Sequence, residues 1–527
     1  MNGRAFRPGG SGRSRPRPFD ERRVNDMEIL QILLLVGLFV GMALLMFFRV
    51  VPALIALPLM AVQTALVGGV SLQDTLELVI GQGALKLHGA YTVTMFGCML
   101  SVILQRTGVA ESFIKKGAEL SGGNPWWSAV IMLTLIISLF TTLTGLGAII
   151  MVATIVMPIM ASVGLGPMTT AGVFLFGLSI GGTLNAVNWA VYMGVMGLTV
   201  ESIRPFALVM FSLTFITALV YLTVQLYLDG HDLEPGPIAA RGALFVAAVC
   251  GAVAVYQTGL TEPARASLRE ALAWAAAGLK LLTAAGLALC FAAVAWRALS
   301  GANEPSDEGE PGGRAGEVHW LAYLSPLVPL LLILLFQVQF VAAFILGLVY
   351  AFLATYRKRR LNLFIQSIFE GGSVAMPAVT LMFGIGMLLV AIMGPGTKLD
   401  AYPQGWPVLE LLRPLMQALV PTSPLGYVLG FTLAAPLALY RGPLNVWGMG
   451  YGLAAAFLAS GMTPAAVMGL LMSVGQVQGI SDPTNTHNIW LASEVRVDVQ
   501  KLLWNTLPYT WAIAFLGLTA SAVLFLG

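Results

Sequence analysis

Residues 29–48 run for 20 positions without a charge, and similar runs recur to the C-terminus. In hydrocarbon every backbone N–H and C=O needs an internal partner, so such a run is held to one conformation, a helix of about 20 residues. The 527 residues are 57% hydrophobic and only 10% charged. A soluble domain carries about 25% charged residues. This chain is too poor in charge to cover a water-facing surface. That excludes a soluble enzyme, a disordered chain and a disulfide-stapled secreted domain. The net charge of +3 points to no polyanionic partner and no nucleic acid. Cys98, Cys250 and Cys290 each sit inside an apolar run, with no CxxC, and read as small buried apolar residues.

The expected spans are 28–48 and 50–68 around a hinge at Arg49, an interfacial 71–86, then 88–106, 126–140, 146–163, 168–184, 188–199 and 205–228. Two Ala-rich segments, 239–257 and 271–298, precede an acidic Pro/Gly linker at 299–318. The rest holds 322–336, 340–356, 373–394, 408–420, 425–440, 445–460, 464–480, 486–494 and 504–526. The expected fold is therefore an all-α polytopic membrane protein of about 12–14 membrane segments. The expected organisation is a basic disordered tail at 1–27, a first repeat at 28–228, a linker with two extra helices at 229–321, and a second repeat with a C-terminal helix at 322–527. Met27 opens a stretch that reads as a natural start, so residues 1–26, with seven arginines, are expected to be an upstream extension.

Several segments are too short, or too broken by Gly and Pro, to span alone. Irregular backbone persists in a membrane only where it lines a polar cavity, and paired interruptions in two halves mark a carrier's binding site. Shifting the chain by 297 residues aligns 145–188 with 442–485 without gaps. Six positions are identical: Gly145/Gly442, Gly164/Gly461, Pro167/Pro464, Gly172/Gly469, Gly182/Gly479 and Asn188/Asn485. The count is close to chance, but all six are residues that fix backbone shape. Met95-Phe96-Gly97 echoes Met382-Phe383-Gly384 upstream. Basic residues prefer cytoplasmic loops. They follow the first and third helices of the first half (Arg49; Arg106, Lys115, Lys116) but lie one helix out of phase in the second (Arg357–Arg360). Opposite phase is what inverted repeats require. The same scheme places the N-terminus outside, against the preference of the arginine-rich tail.

Four polar stretches interrupt the apolar sequence. Thr141, Thr142, Thr144 and Gly145 read as the tip of a re-entrant hairpin. The mate of this tip, Tyr440 to Asn445, contains Arg441, and an Arg at mid-membrane costs about 2.5–3.5 kcal/mol unless it faces a cavity or partner. Its guanidinium suits a carboxylate. Gly181 to Asn188 and Gly479 to Asn488 read as helix breaks. A broken helix offers carbonyls to a cation and N–H groups to an anion. In the second break Pro483 disfavours helix at Asp482. Asp482 can hold Na⁺ or a proton, and His487 can titrate.

The layout resembles the ion transporter superfamily, which includes gluconate:proton symporters, C4-dicarboxylate carriers and citrate:cation symporters. The resemblance rests on TTLTGLGAIIM at 141–151, GGTLNAVN at 181–188, LALYRGPLN at 437–445 and GISDPTNTHN at 479–488. It covers about 28–228 and 322–527. The sodium-coupled branch uses Ser-Asn-Thr tips, where this chain has Thr142–Thr144 and Thr484–Thr486. The resemblance implies two re-entrant hairpins meeting two broken helices, a small organic anion coupled to H⁺ or Na⁺, and often a homodimer.

The expected function is secondary active transport of a small carboxylate or sugar acid, in a lipid bilayer and with no cofactor. The expected substrate residues are Thr142, Thr144, Gly145, Asn185, Asn188, Arg441, Asn445, Thr484, Asn485, Thr486, His487 and Asn488. Thr141, Asn185, Asp482 and Asn485 are the expected holders of the coupling cation or proton. The alternative is a cation/proton antiporter without organic cargo, with Asp482 exchanged and Arg441 its counter-charge. No HExxH, nucleophile elbow or GxxxxGK[ST] occurs, so neither an enzyme nor an ATP-driven pump is expected. Compact loops suit a prokaryotic inner membrane.

Overall fold

A computed structural model describes residues 26–48, 50–119, 124–231, 262–301, 318–357, 361–397, 399–421 and 423–526. The helices in order are α1 (Asp26–Phe47), α2 (Ala53–Val67), α3 (Leu72–Arg106), α4 (Val109–Glu119), α5 (Pro125–Phe140), α6 (Leu146–Ser162), α7 (Pro167–Thr183), α8 (Ala186–Met196) and α9 (Val200–Leu228). Then come α10 (Glu262–Ser300), α11 (Leu327–Phe336), α12 (Phe340–Thr355), α13 (Leu361–Met393), α14 (Pro407–Leu419) and α15 (Pro424–Ala434). The last are α16 (Val446–Ala459), α17 (Pro464–Ser481), α18 (Thr486–Glu494) and α19 (Val499–Phe525). No strand occurs among the described residues. Among the described residues six helices are long and apolar enough to cross a membrane, or seven when α7 and α8, bent by 51° at their junction, count as one span. Six shorter apolar helices accompany them. The chain is an all-α polytopic membrane protein.

The elements recur in order. The pair α1–α2 answers to α11–α12, α3 to α13, α4 to α14, α5–α6 to α15–α16, α7–α8 to α17–α18, and α9 to α19. Pro167 and Pro464 each open their helix, where a missing N–H costs nothing and φ is preset. Gly164 and Gly461 turn the chain just before, at φ +93° and +95°, a conformation that favours glycine. Gly172 and Gly469 are the contact points of two helix crossings. A Cβ on Gly172 would overlap the Tyr221 hydroxyl on α9, and one on Gly469 would overlap Ser521 on α19. The two halves also meet at equivalent positions: Ser179 Oγ donates to Gln476 Oε1 at 2.7 Å, 297 residues apart. Such a contact places the local two-fold axis between these side chains.

Some expected boundaries move. Residues 71–86 are not a separate interfacial piece. They continue through a π-helical turn, Thr75–Gln82, into the run that ends at Arg106. Gly83 lies so close to α13 that a Cβ would come within 2.7 Å of Met387 Cα, which holds the irregular turn against the bundle. α9 starts at Val200 rather than 205, because Thr199 and Ser202 form a capping box ahead of Pro205. α13 starts at Leu361 rather than 373; Glu370 in this added part pairs with Arg106. Asp26 and Met27 already belong to α1. The rest of the basic tail, Arg49, the segment 239–257, most of the acidic linker and Lys358 to Arg360 lie outside the described residues.

Candidate functional site

Two hairpin tips and two helix breaks approach one another on either side of the Ser179–Gln476 contact. In the first repeat, α5 ends at Phe140 and α6 begins at Leu146, so Thr141 to Gly145 form the tip. Gly145 takes φ +90°. Thr141 and Thr142 are buried, and their hydroxyls donate to the carbonyls of Ser138 and Leu139. Asn185 sits in the break between α7 and α8, 3% exposed. Its Oδ1 accepts from Val187 N–H at 2.9 Å and so caps α8. Its Nδ2 donates to the Phe140 carbonyl at 3.0 Å and the Leu143 carbonyl at 3.4 Å. One amide thus ties the helix break to the hairpin tip. Asn188 Nδ2 reaches back to the Gly182 carbonyl at 2.7 Å.

The second repeat makes the same joint with different chemistry. Asp482, the mate of Asn185, is fully buried. Its Oδ1 accepts from Tyr440 N–H (3.0 Å), Thr484 N–H (2.9 Å) and Thr484 Oγ1 (2.7 Å). Its Oδ2 accepts from Asn445 Nδ2 at 3.3 Å. At this tip Tyr440 and Arg441 take φ +54° and +58°, whereas Gly442 has φ −63°. The left-handed turn has therefore moved from the glycine to two bulky residues ahead of it. Asn485 Nδ2 donates to the Gln478 carbonyl at 2.7 Å. His487 Nε2 lies 3.3 Å from the Gly479 carbonyl, which requires that nitrogen to carry the proton. Asn488 Nδ2 donates to the carbonyls of Ile480 and Asp482, and its buried Oδ1 has no partner.

A cavity of about 360 Å³ lies between the two breaks. Of the expected substrate residues, Thr144, Gly145, Asn185, Asn188, Asn485 and His487 line it. Thr142, Asn445, Thr484 and Asn488 do not; they hold tips and breaks in shape. Thr486 is exposed. Arg441 is also exposed and lies outside the lining, so the expected guanidinium–carboxylate contact in the cavity is not built. The four expected cation holders are each engaged within their own repeat. Asn185 uses both ends of its amide, and Asp482 is surrounded by donor hydrogens that would repel a metal cation.

Sequence reasoning missed Ser179, Gln476 and Gln478. Gln476 joins the repeats by accepting from Ser179 and donating to Thr183 Oγ1 at 3.3 Å. Gln478 Oε1 accepts from Val446 N–H at 2.7 Å. Tyr192, Trp447 and Tyr451 form an aromatic wall, with ring centroids 5.9 and 5.6 Å apart in edge-to-face pairs. Cys98 also lines the cavity, its Sγ 3.2 Å from Thr144 Oγ1. No Lys, Arg, Asp or Glu is among the lining residues.

No protein-family model matches the chain, and no curated protein is similar to it in sequence. Among solved structures, the chain is similar to the crystal structure of the Alcanivorax borkumensis YdaH transporter. The identity is 15%, the match covers 85% of this chain and 87% of that one, and the TM-score is 0.48.

Proposed function

We propose that the chain is a secondary active carrier of a small organic anion, coupled to H⁺ or Na⁺. The observation that carries this reading is the cavity between two broken helices. The second half of each broken helix begins in the cavity wall, at Val187–Asn188 and at Asn485–His487. The first N–H groups of a helix lack intrahelical acceptors and carry the positive end of its dipole. The Val187 N–H is already taken by Asn185 and that of Trp189 by the Asn185 carbonyl, which leaves Ala186 and Asn188 without an intrahelical acceptor. Thr486, His487 and Asn488 stand in the same position at the start of α18. Such amides suit one carboxylate. A lining without Arg or Lys favours a monocarboxylate over a di- or tricarboxylate, whose added charges would stay uncompensated. The aromatic wall gives an apolar body somewhere to pack.

The test is thermal stabilisation of the purified protein in detergent by gluconate, lactate, succinate and citrate, each with and without Na⁺. A ligand at a hundred times its Kd stabilises by about 2.7 kcal/mol. A melting temperature raised by a monocarboxylate supports the reading. Insensitivity to every acid, together with a response to Na⁺ or pH, would favour cation/proton exchange and end it.

A further inference from the structure

We infer that Gln478 determines specificity in the cavity. Its amide N–H groups donate to a neutral oxygen, a hydroxyl or a carbonyl, on the body of the cargo, and so select oxygen-bearing acids over their unsubstituted counterparts. The inference rests on the carrier reading and narrows its substrate class.

Five amide side chains line the cavity: Asn185, Asn188, Gln476, Gln478 and Asn485. Four of them donate from their nitrogen to an acceptor in the protein. Gln478 is the exception. It is only 6% exposed, and its Oε1 accepts from the Val446 N–H at 2.7 Å. A backbone N–H can face only the oxygen end of an amide, so the group has one orientation and Nε2 points away from Val446. Nε2 donates to nothing among the described residues, and it is not one of their sealed, unpartnered atoms. The nitrogen is therefore the end that Gln478 turns to the cavity. Nearly buried N–H groups are paired in folded proteins, and here the cavity must supply the partner.

The repeat sets this side chain apart from the frame. A shift of 297 residues pairs Gln478 with Gly181. At Gly181 the helix lies flush against the first hairpin, and a Cβ would come within 2.8 Å of the Ile137 carbonyl oxygen and of Phe140 Cβ. The first break thus has no room for a side chain where the second carries an amide. Two matched breaks offer a cargo the same backbone groups from both sides. A cargo with one carboxylate has two unlike ends, and the amide at 478 gives the second break something different to offer.

The position of Gln478 in its helix decides which end of the cargo it meets. It lies in the last turn of α17, where the carbonyls and the negative end of the helix dipole gather. A carboxylate is disfavoured beside that end. The unpaired amides at the starts of α8 and α18 have the opposite polarity and are better suited to the charge. A neutral oxygen meets no such repulsion. The aromatic wall packs the apolar part of the same body, so an oxygen on an otherwise apolar body is the matching chemistry.

The test measures equilibrium binding to the purified full chain in detergent by isothermal titration calorimetry. Three pairs of acids place the oxygen at different distances from the carboxylate: lactate and propionate, gluconate and hexanoate, 4-hydroxybenzoate and benzoate. In at least one pair the oxygen-bearing acid should bind on the order of tenfold more tightly. Gln478→Leu should bring that ratio to about one. It also leaves the Val446 N–H unpaired, which weakens both members of a pair in common and does not move the ratio. Gln478→Glu keeps an oxygen for Val446 and sets a second oxygen where Nε2 stood, so it too should lose the preference, and it decides the matter if Gln478→Leu does not fold. Trp447 Nε1 is the competing donor, since it also lies in the lining without an acceptor among the described residues. A ratio lost in Trp447→Phe and kept in the Gln478 variants overturns the proposal. So does a uniform loss of affinity in the Gln478 variants with the ratio intact, because the amide would then meet the carboxylate or only brace the tip. If all three wild-type pairs bind alike, the proposal falls and the carrier reading stands. If no acid binds at all, the carrier reading falls and takes the proposal with it.

Discussion

At the break between α7 and α8 the side chain at position 185 gives hydrogen bonds to the neighbouring hairpin tip. At the equivalent position 482 the side chain receives them. The backbone follows the side chain. The tip facing Asn185 turns its Phe140 and Leu143 carbonyls inward and puts its left-handed residue at Gly145. The tip facing Asp482 turns the Tyr440 N–H inward and puts the left-handed strain on Tyr440 and Arg441. One frame thus carries two joints of different kinds. The first is made by an amide that donates, the second by a carboxyl group that accepts. The difference between an amide and a carboxylate, one functional group, is enough to give the two tips different backbone turns.

The sharpest way to break this comparison is to exchange the two residues. Asn185→Asp sets an acceptor-only group against two carbonyl oxygens in a buried site, and should cost about 3–5 kcal/mol, read as a large fall in melting temperature. Asp482→Asn keeps the Oδ1 acceptor and misplaces one donor against Asn445, so about 1–3 kcal/mol is expected. Equal losses would mean that the tips do not discriminate between donor and acceptor. The helix crossings come next. Gly172→Ala and Gly469→Ala both overpack, by about 1–3 kcal/mol. Both neighbours are fully buried, and the former should be worse, because a Cβ there meets the rigid Tyr221 ring at its hydroxyl and two ring carbons, where one on Gly469 meets the smaller Ser521 side chain. A double-mutant cycle of Ser179→Ala and Gln476→Ala should show coupling of about 0.5–1.5 kcal/mol; additive losses would remove the axis contact from the argument. The smallest effect belongs to Arg441→Gly. Relief of a left-handed φ and the added freedom of the unfolded chain nearly cancel, leaving about 1 kcal/mol or less. Ligand-induced stabilisation should be unchanged, and a loss of it would return Arg441 to the binding site.

Much of this was legible in the residues. The apolar runs dictated helices, and four of the six repeated pairs trace to a shared demand: a turn, a helix start, a close crossing or a side chain reaching back across the break. Asn185, Asn188, Asn485 and His487 stood out because polar groups in apolar sequence need partners. Ser179 and Gln476 did not, since one hydroxyl or amide inside a helix looks ordinary. Their shared offset of 297 residues was the signal available. Tyr192, Trp447 and Tyr451 passed as core because aromatic rings serve equally as core and as cavity wall. Arg441 was misplaced by a sound cost argument that lacked one fact. The expense of a mid-membrane guanidinium requires an escape, and the left-handed turn at 440–441 lets the side chain face outward instead of into the cavity.

The Ser179–Gln476 contact sits where each half of the molecule touches its own counterpart. Under the carrier reading, a residue off that axis acts chiefly on the approach from one face of the membrane. Altering a residue on the axis disturbs both approaches together. Variants of this chain should therefore sort by the symmetry of their defect. Under the carrier reading, damage at the axis should slow influx and efflux alike, while damage at Asp482 or Asn185 should slow the two to different extents.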